Sequence, residues 1–249
     1  MVSLHDVTTE MLVALGATDR LVGIADPVDA TAEVQQAVAQ IPRVASLESI
    51  LPLGPDVVLG LGVVAERDPE LVSRLRERGI DVYLADPATV DDVYSLTRAV
   101  AQRAGATAAG ERLVRGLRAR VERDTSTAPS RRVRVFVYDC CDPPFTAGGK
   151  TVLTDLIERA GGHNVFAELE ADWTHVSWEE VVTRRPDLVV IHSYKYEGQG
   201  DVPEKRRKLQ AIKSLSNLPT VVVPLGWSLG GLRSADGLER LRLAMSEQP

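Results

Sequence analysis

The sequence predicts an α/β protein with two Rossmann-like lobes, mostly parallel sheets and a long helical connection between the lobes. Short apolar runs bounded by turn residues alternate with amphipathic helices in both halves of the chain. Residues 57–59, directly after Pro55 and Asp56, form such a run, which is typical of a strand covered on both faces. Strands and helices that alternate in this way give an α/β layer fold. Residues 90–124 differ, because they show helical spacing with no strand between them.

The first half of the chain contains the elements of one lobe. After a strand at residues 2–4, Met11, Leu12 and Leu15 follow at helical spacing and Gly16 ends the helix. The remaining predicted elements are strands at 21–24, 57–59 and 81–84, and helices at 46–51 and 69–78.

The connecting segment is predicted to contain two helices that Gly105 divides, and the polar residues 125–130 close it. We therefore expect an N-terminal lobe at 1–104, a connecting helix and linker at 105–130, and a C-terminal lobe at 131–249.

The second half repeats the pattern of the first. Its predicted strands lie at 133–137, 188–191 and 220–223, and its helices at 151–160 and 179–184. A short helix, a Pro-Asp pair and a buried strand occur once in each half, with Pro186 and Asp187 matching Pro55 and Asp56. This recurrence supports two similar lobes.

Composition excludes several classes of function. The chain of 249 residues carries a net charge of −6 with no basic patch, so a nucleic-acid partner is not expected. No apolar run is long enough to span a membrane. No signal-peptide pattern is visible, and a cytoplasmic protein and an exported one with its leader removed remain alternatives.

Two sequence patterns are typical of catalytic sites, but each lacks a residue that its chemistry requires. Residues 226–230 match the G-x-S-x-G pattern, whose triad order is serine, acid, histidine, yet all four histidines precede Ser228. Residues 148–151 suggest the end of a phosphate-binding loop, but Pro144 stands where the pattern needs glycine. We therefore expect no enzyme activity.

Metal ligation is a minor hypothesis. The candidate ligands are His5, Asp6, Cys140, Cys141, His175 and His192, and they show no recognised spacing. Each is better explained as a satisfied polar residue, so no metal site of the protein's own is expected. One of them could still reach the metal of a bound chelate. The adjacent cysteines are not expected to form a disulfide, because the ring would be strained.

Ligand sites in doubly wound sheets lie outside the carboxyl ends of the strands. That rule alone gives these candidate ligand-binding residues: His5, Asp6, Asp26, Leu61, Gly62, Asp139, Cys140, Cys141, His192, Tyr194, Trp227 and Ser228.

Residues 142–151, 160–166 and 173–181 carry a family resemblance, which residues 3–24 and 47–59 extend over most of the chain. The chain resembles the periplasmic cobalamin-binding protein and its relatives. These are the helical-backbone (class III) substrate-binding proteins of ABC importers, which bind cobalamin, ferric siderophores or haem.

The resemblance implies that both lobes hold one ligand in a cleft between them. The ligand would be a metal chelate or cofactor of corrinoid or ferric-siderophore type, and the protein would have no cofactor of its own. Trp173 matches a ligand-stacking position, with Phe145 and Trp227 as further apolar walls. The expected polar groups are His5, Asp6, Asp26, Asp139 and Arg233. Leu61 stands where the cobalamin receptor has an aromatic wall, so a smaller or more polar ligand is plausible: cobinamide, a siderophore or a deazaflavin-cofactor precursor.

The resemblance also implies a partner, the membrane permease dimer of an ABC importer. Glu48 and Glu179 match the acidic positions that pair with permease arginines. Such a receptor would act as a monomer in the periplasm or as an extracellular lipid-anchored protein. The alternative is an intracellular metallochaperone or enzyme on the same fold, which would have no use for these glutamates.

Overall fold

A computed structural model describes residues 1–125, 132–194 and 202–248. The strands are β1 (Val2–Ser3), β2 (Gly23–Ile24), β3 (Val57–Leu61), β4 (Asp81–Ala85), β5 (Val133–Tyr138), β6 (Phe145–Ala147), β7 (Gly162–Asn164), β8 (Trp173–His175), β9 (Leu188–Ser193) and β10 (Thr220–Pro224). The α-helices are α1 (Asp6–Ala14), α2 (Ala32–Ala37), α3 (Leu47–Ile50), α4 (Val63–Arg67), α5 (Pro69–Glu77), α6 (Val90–Arg103), α7 (Thr107–Thr125), α8 (Val152–Arg159), α9 (Trp178–Thr183), α10 (Val202–Ala211) and α11 (Ser234–Ser246).

The chain divides into two compact units. The first contains residues 1–86 and 91–117, and the second contains residues 87–90 and 118–249, so the division falls within α7. Each unit contains a four-stranded parallel sheet. The predicted α/β class with mostly parallel sheets is confirmed, whereas the lobe boundaries drawn from the sequence stay predictions.

The first sheet has the strand order β2-β1-β3-β4. Its short strands bury apolar side chains on both faces, as parallel strands do. Val2 and Val58 are fully buried against Ile50 of α3 and Leu75 of α5. Gly79 has φ of 77° directly after α5, which is the left-handed conformation that glycine adopts most readily at a helix end.

The second sheet has the order β10-β9-β5-β7. Tyr138 pairs with Ile191, so β5 and β9 reach the same edge of the sheet together. Val223 of β10 pairs with His192. The residues that follow these paired positions are therefore neighbours in space, although they are far apart in sequence.

An antiparallel hairpin of β6 and β8 lies next to that edge, and the sequence did not predict it. Phe145 pairs with His175, and Ala147 pairs with Trp173. The hairpin is joined to the end of β5, because the Asp139 N–H donates to the Phe145 carbonyl at 3.0 Å and the Phe145 N–H donates to Cys140 at 2.9 Å. This connection fixes the aromatic residues of the hairpin beside the carboxyl end of the sheet.

Gly148 and Gly149 directly follow β6. They are explained by the backbone packing of this hairpin, and not by a phosphate-binding loop. A Cβ atom at Gly148 would lie 2.2 Å from the Ala171 carbonyl oxygen, and one at Gly149 would lie 2.3 Å from that of Ala167. The Gly148 N–H donates to Asp172 at 2.6 Å. The glycines are needed because two backbone segments approach closely here.

The helical segment agrees with its prediction. Helices α6 and α7 are separated at Gly105, which has φ of 68°. In the described part of the chain, no helix has both the length and the apolar composition needed to cross a membrane.

Candidate ligand-binding site

A buried polar network lies at the carboxyl edge of the second sheet. The His192 Nδ1 atom is 2.6 Å from the Asp139 Oδ1 atom, and its Nε2 atom is 2.9 Å from the Ser228 Oγ atom. His192 is fully buried and Ser228 is 3% exposed. The parallel register places Asp139 and His192 side by side, and the turn after β10 returns Ser228 to them. We call these three residues the polar network.

The charge of the polar network is set by its neighbours. Burial opposes ionisation of Asp139, but hydrogen bonds from His192 and Tyr194 and the charge of Lys205 outweigh it. The pKa of this carboxyl is therefore below its ordinary value. The Lys205 Nζ atom donates to the His192 carbonyl at 2.6 Å and lies 4.7 Å from the centre of the Tyr194 ring. The network is a charged, hydrogen-bonded group under the edge of the sheet.

An acid, a histidine and a serine hydroxyl in this arrangement have the geometry of a catalytic triad. Sequence reasoning missed it because it required a histidine after the serine, as in the α/β hydrolases. The order acid, histidine, serine also supports triads on another fold. Here, however, the Ser228 hydroxyl is 2.8 Å from the Leu225 carbonyl and is almost closed to solvent. The geometry allows proton sharing, but the hydroxyl is not presented to a substrate.

Three aromatic rings form a second group, which we call the aromatic platform: Phe145, Trp173 and His175. The Phe145 and Trp173 rings are nearly parallel, with centroids 6.1 Å apart and an interplanar angle of 24°. The His175 ring lies 4.9 Å from that of Phe145. Trp173 also approaches His192 at 5.4 Å, so the platform adjoins the polar network. The first two rings are half-buried and His175 is exposed.

The two cysteines form a disulfide, and the expectation that they would not was wrong. The chain turns sharply here, with Cys141 in the left-handed region at φ of 73°, and the side chains of the two neighbouring residues meet. The Tyr138 hydroxyl donates to the Cys141 carbonyl at 3.0 Å. Cys140 and Cys141 thus lie directly between the polar network and the aromatic platform along the chain.

Two further candidates in this unit are less closely tied to the site. Trp227 is half-buried beside Ser228 in the chain, and within the described residues its ring makes no ring contact with the platform. Arg233 is half-buried at the residue before α11.

In the first unit, the candidate residues near α1 have local partners. The His5 Nδ1 atom accepts the Val7 N–H at 3.2 Å, and burial lowers the pKa of His5. Asp6 Oδ2 accepts the N–H groups of Val28 at 2.9 Å and Asp29 at 2.7 Å. His5 therefore caps its helix, and Asp6 holds the loop after β2.

The other three candidates of this unit lie after β2 and at the end of β3. Asp26 is 86% exposed and 3.5 Å from Arg43. Leu61 is buried. The Gly62 N–H donates to Asp86 at 2.9 Å, and a Cβ atom at Gly62 would lie 2.0 Å from that carboxylate. The Asp86 carboxylate therefore occupies the position that a side chain at Gly62 would take.

The two candidate docking glutamates occupy equivalent places. Glu48 lies in the first turn of α3 after Ser46, and Glu179 lies in the first turn of α9 after Ser177; both helices begin with a capping box. Both glutamates are exposed. The backbone and the Ser46 hydroxyl hold the pKa of Glu48 below its ordinary value, so it is charged at neutral pH.

Residues 1–221 match the profile of the family described as periplasmic binding protein. The chain belongs to this family. A curated relative is the vitamin B12-binding protein of Yersinia pestis (strain Pestoides F). It is 29% identical over 198 residues, which are 77% of this chain and 68% of the relative.

Solved structures of other binding proteins show the same fold. A periplasmic binding protein from Veillonella parvula superposes with a TM-score of 0.86 at 24% identity, covering 99% of this chain and 90% of the other. The haem-binding protein RhuT from Roseiflexus sp. RS-1 gives 0.80 at 24% identity, covering 99% and 97%. The vitamin B12-binding protein BtuF of Vibrio cholerae gives 0.80 at 22% identity, covering 98% and 95%.

Within residues 1–125, 132–194 and 202–248, no group of three or more His, Cys, Asp or Glu side chains is placed to hold a metal ion. The described residues thus offer no chelating set of three or more such side chains.

Proposed function

We propose that this protein is the substrate-binding protein of an ABC importer, and that it captures a metal chelate of corrinoid, haem or ferric-siderophore type. The observation that carries the proposal is the aromatic platform beside the buried polar network, in a chain of the periplasmic binding protein family. Binding sites for small molecules combine apolar walls with a few placed polar groups. The platform supplies the wall, and Tyr194, which is half-buried next to the polar network, supplies an orienting polar group.

The relatives support this class of ligand. One curated relative is named for vitamin B12, and solved neighbours are named for haem and for an Fe³⁺-hydroxamate transport system. These ligands share a metal held by an organic chelator. The near-parallel rings of Phe145 and Trp173 suit a flat ligand face, because aromatic rings prefer offset stacking.

We propose further that the protein does not catalyse a reaction on its ligand. The family consists of binding proteins, and the Ser228 hydroxyl is almost closed to solvent. The polar network then serves to hold the carboxyl ends of β5 and β9 in one arrangement, which keeps the platform rigid. A rigid site lowers the ordering cost of binding.

Delivery to an ABC permease dimer is the role we propose for Glu48 and Glu179. Each is exposed in the first turn of a capped short helix, one in each unit. Complementary charges at such positions orient a partner and raise the association rate more than they raise affinity. The ligand would then be captured outside the cytoplasm and released at the membrane.

A thermal-shift panel tests the capture role. The purified protein is heated alone and with cobalamin, cobinamide, ferric haem, ferric siderophores and bare divalent metals. A ligand at about 100 times its Kd stabilises the folded state by roughly 2.7 kcal/mol, so one chelate should raise the Tm clearly. A rise with bare metal alone would contradict the proposal and favour a metallochaperone.

A further inference from the structure

The four histidines differ in which ring nitrogen can bind a metal. A neutral imidazole has one N–H donor and one lone pair, and a hydrogen bond to one nitrogen decides the state of the other. The His5 Nδ1 atom accepts an N–H, so its Nε2 atom must hold the proton. In His192, both nitrogens have partners and the ring is fully buried. Neither residue offers a free lone pair.

His175 has the opposite tautomer to His5. Its Nδ1 atom lies 3.1 Å from the Pro143 carbonyl oxygen, and a carbonyl can only accept, so Nδ1 carries the proton. The lone pair is therefore on Nε2, which has no hydrogen-bond partner within the described residues, and the side chain is exposed. Histidines that bind metals commonly donate their other N–H to a carbonyl or a carboxylate in this way.

His163 has the same tautomer but a different setting. Its Nδ1 atom lies 3.0 Å from Glu158 on the edge strand β7, where it pairs with Arg134 and lies near the charge of Arg132. The two arginines disfavour a metal cation, and His163 is not part of the aromatic platform. It is a matched control for His175.

The platform places the His175 imidazole beside a surface for a flat ligand. Phe145 pairs with His175 across the hairpin, and their rings are tilted by 50°, whereas Phe145 and Trp173 differ by 24°. The imidazole is therefore not stacked into the parallel pair. Trp173 and His175 are two residues apart on β8, so their side chains project from the same face of the hairpin as that of Phe145, and a planar ligand that covers this face would meet the imidazole.

We propose that the His175 Nε2 atom donates its lone pair to the metal of the captured chelate, as an axial ligand of a planar macrocycle such as haem or a corrinoid. The new bond replaces a water or other weak axial group, and no electron transfer is involved. This inference rests on the proposed function and narrows it. A single imidazole cannot hold a bare ion, and no cluster of three donors exists in the described residues. A siderophore whose six donors fill the coordination sphere leaves no position for it.

The test uses visible absorption of two probes, ferric haem and aquocobinamide, titrated into four proteins: wild type, His175→Ala, His163→Ala and His175→Gly. We expect the spectrum of nitrogen-ligated metal with wild type and His163→Ala for at least one probe. His175→Ala should lose that spectrum and bind at least about tenfold more weakly, because even indirect loss of metal support costs that much. Added imidazole should restore the spectrum in His175→Gly.

The outcomes separate the inference from the proposed function. If His175→Ala keeps the wild-type spectrum, or if only siderophores bind, His175 is not a metal ligand and the capture role stands. If no chelate in the panel stabilises the wild-type protein, both fail. Tryptophan fluorescence quenching measures ligand occupancy independently of coordination, so loss of binding and loss of the metal bond can be distinguished.

Discussion

At the scale of single residues, the polar network contains polar side chains whose loss of hydration must be compensated by hydrogen bonds. Asp139 and His192 are removed from water, and each is tolerated because the other satisfies it. The network holds the structure together, so its members report on stability and not on ligand chemistry.

Asp139→Asn should destabilise the protein by about 1–3 kcal/mol, because a buried histidine loses its anionic partner. Asp142→Asn is the matched control, since Asp142 is exposed and its amide counterpart can still accept from Trp178. Urea unfolding measures both. Equal stability of the two variants would show that the Asp139–His192 bond contributes little.

Asp139 also makes the stability of the folded protein depend on pH under acidic conditions. The pKa of Asp139 is lowered in the folded state, so its contribution is fully present above the ordinary carboxyl value of about 3.9. That contribution is lost as the pH falls from there through the lowered pKa. We expect the Tm difference between wild type and Asp139→Asn to be constant above about pH 5 and to shrink below pH 4. A difference that grows on acidification would contradict this sign.

Ser228 should be unreactive toward a fluorophosphonate probe, and the protein should not hydrolyse nitrophenyl esters beyond the background rate. Ser228 is 3% exposed, and its hydroxyl has the Leu225 carbonyl within hydrogen-bond distance. Ser234→Ala is the control for removal of a buried serine hydroxyl. Labelling and hydrolysis that Ser228→Ala abolishes, and Ser234→Ala does not, would make the polar network a working triad.

At the scale of elements, the β6–β8 hairpin determines where the aromatic side chains lie. Its strands are short, and its position depends on backbone hydrogen bonds to the end of β5 and to residues 169–172. Small changes in that backbone would move the platform away from the polar network.

Gly148→Ala should destabilise the protein by roughly 1–3 kcal/mol and weaken chelate binding, because the added Cβ meets a backbone carbonyl at 2.2 Å. Gly116→Ala is its counterpart in the exposed interior of α7, where nothing lies within 4 Å. That change should stabilise by about 0.5–1 kcal/mol. Thermal unfolding measures both variants. A Tm shift of the same sign in both would contradict the argument that the backbone at Gly148 leaves no room for a Cβ atom.

At the scale of the whole molecule, the two units share one structural arrangement. Each has a parallel sheet and an exposed first-turn glutamate on a capped short helix. A local role in the helix dipole would explain either glutamate alone. The repetition favours a shared role in docking.

Replacing both Glu48 and Glu179 with glutamine should reduce chelate uptake by cells about tenfold or more while chelate affinity in solution is unchanged, because steering by charge acts on association. Glu33→Gln, which removes an exposed first-turn glutamate of α2, is the control and should transport normally. Normal uptake by the double variant would remove the docking proposal.

Much of the fold was determined by the sequence alone. The strands at β3, β5 and β9, the helix that ends before Gly79 and the break at Gly105 were all predicted, since periodicity, glycine stops and caps act within a few residues. The short helices α2 and α4 were not predicted, because five or six residues show too little helical periodicity. The hairpin strands were not predicted either, because three residues show too little alternation.

The site was decided by tertiary structure. His192 lies 53 residues after Asp139 and 36 before Ser228, and only the parallel register of β5, β9 and β10 brings them together. The same holds for the disulfide, which needed the turn conformation of Cys141, and for the free nitrogen of His175, which needed the Pro143 carbonyl. Sequence patterns report which groups are present and how each segment folds. The partners of those groups depend on register and on chain turns, which only the packed structure fixes.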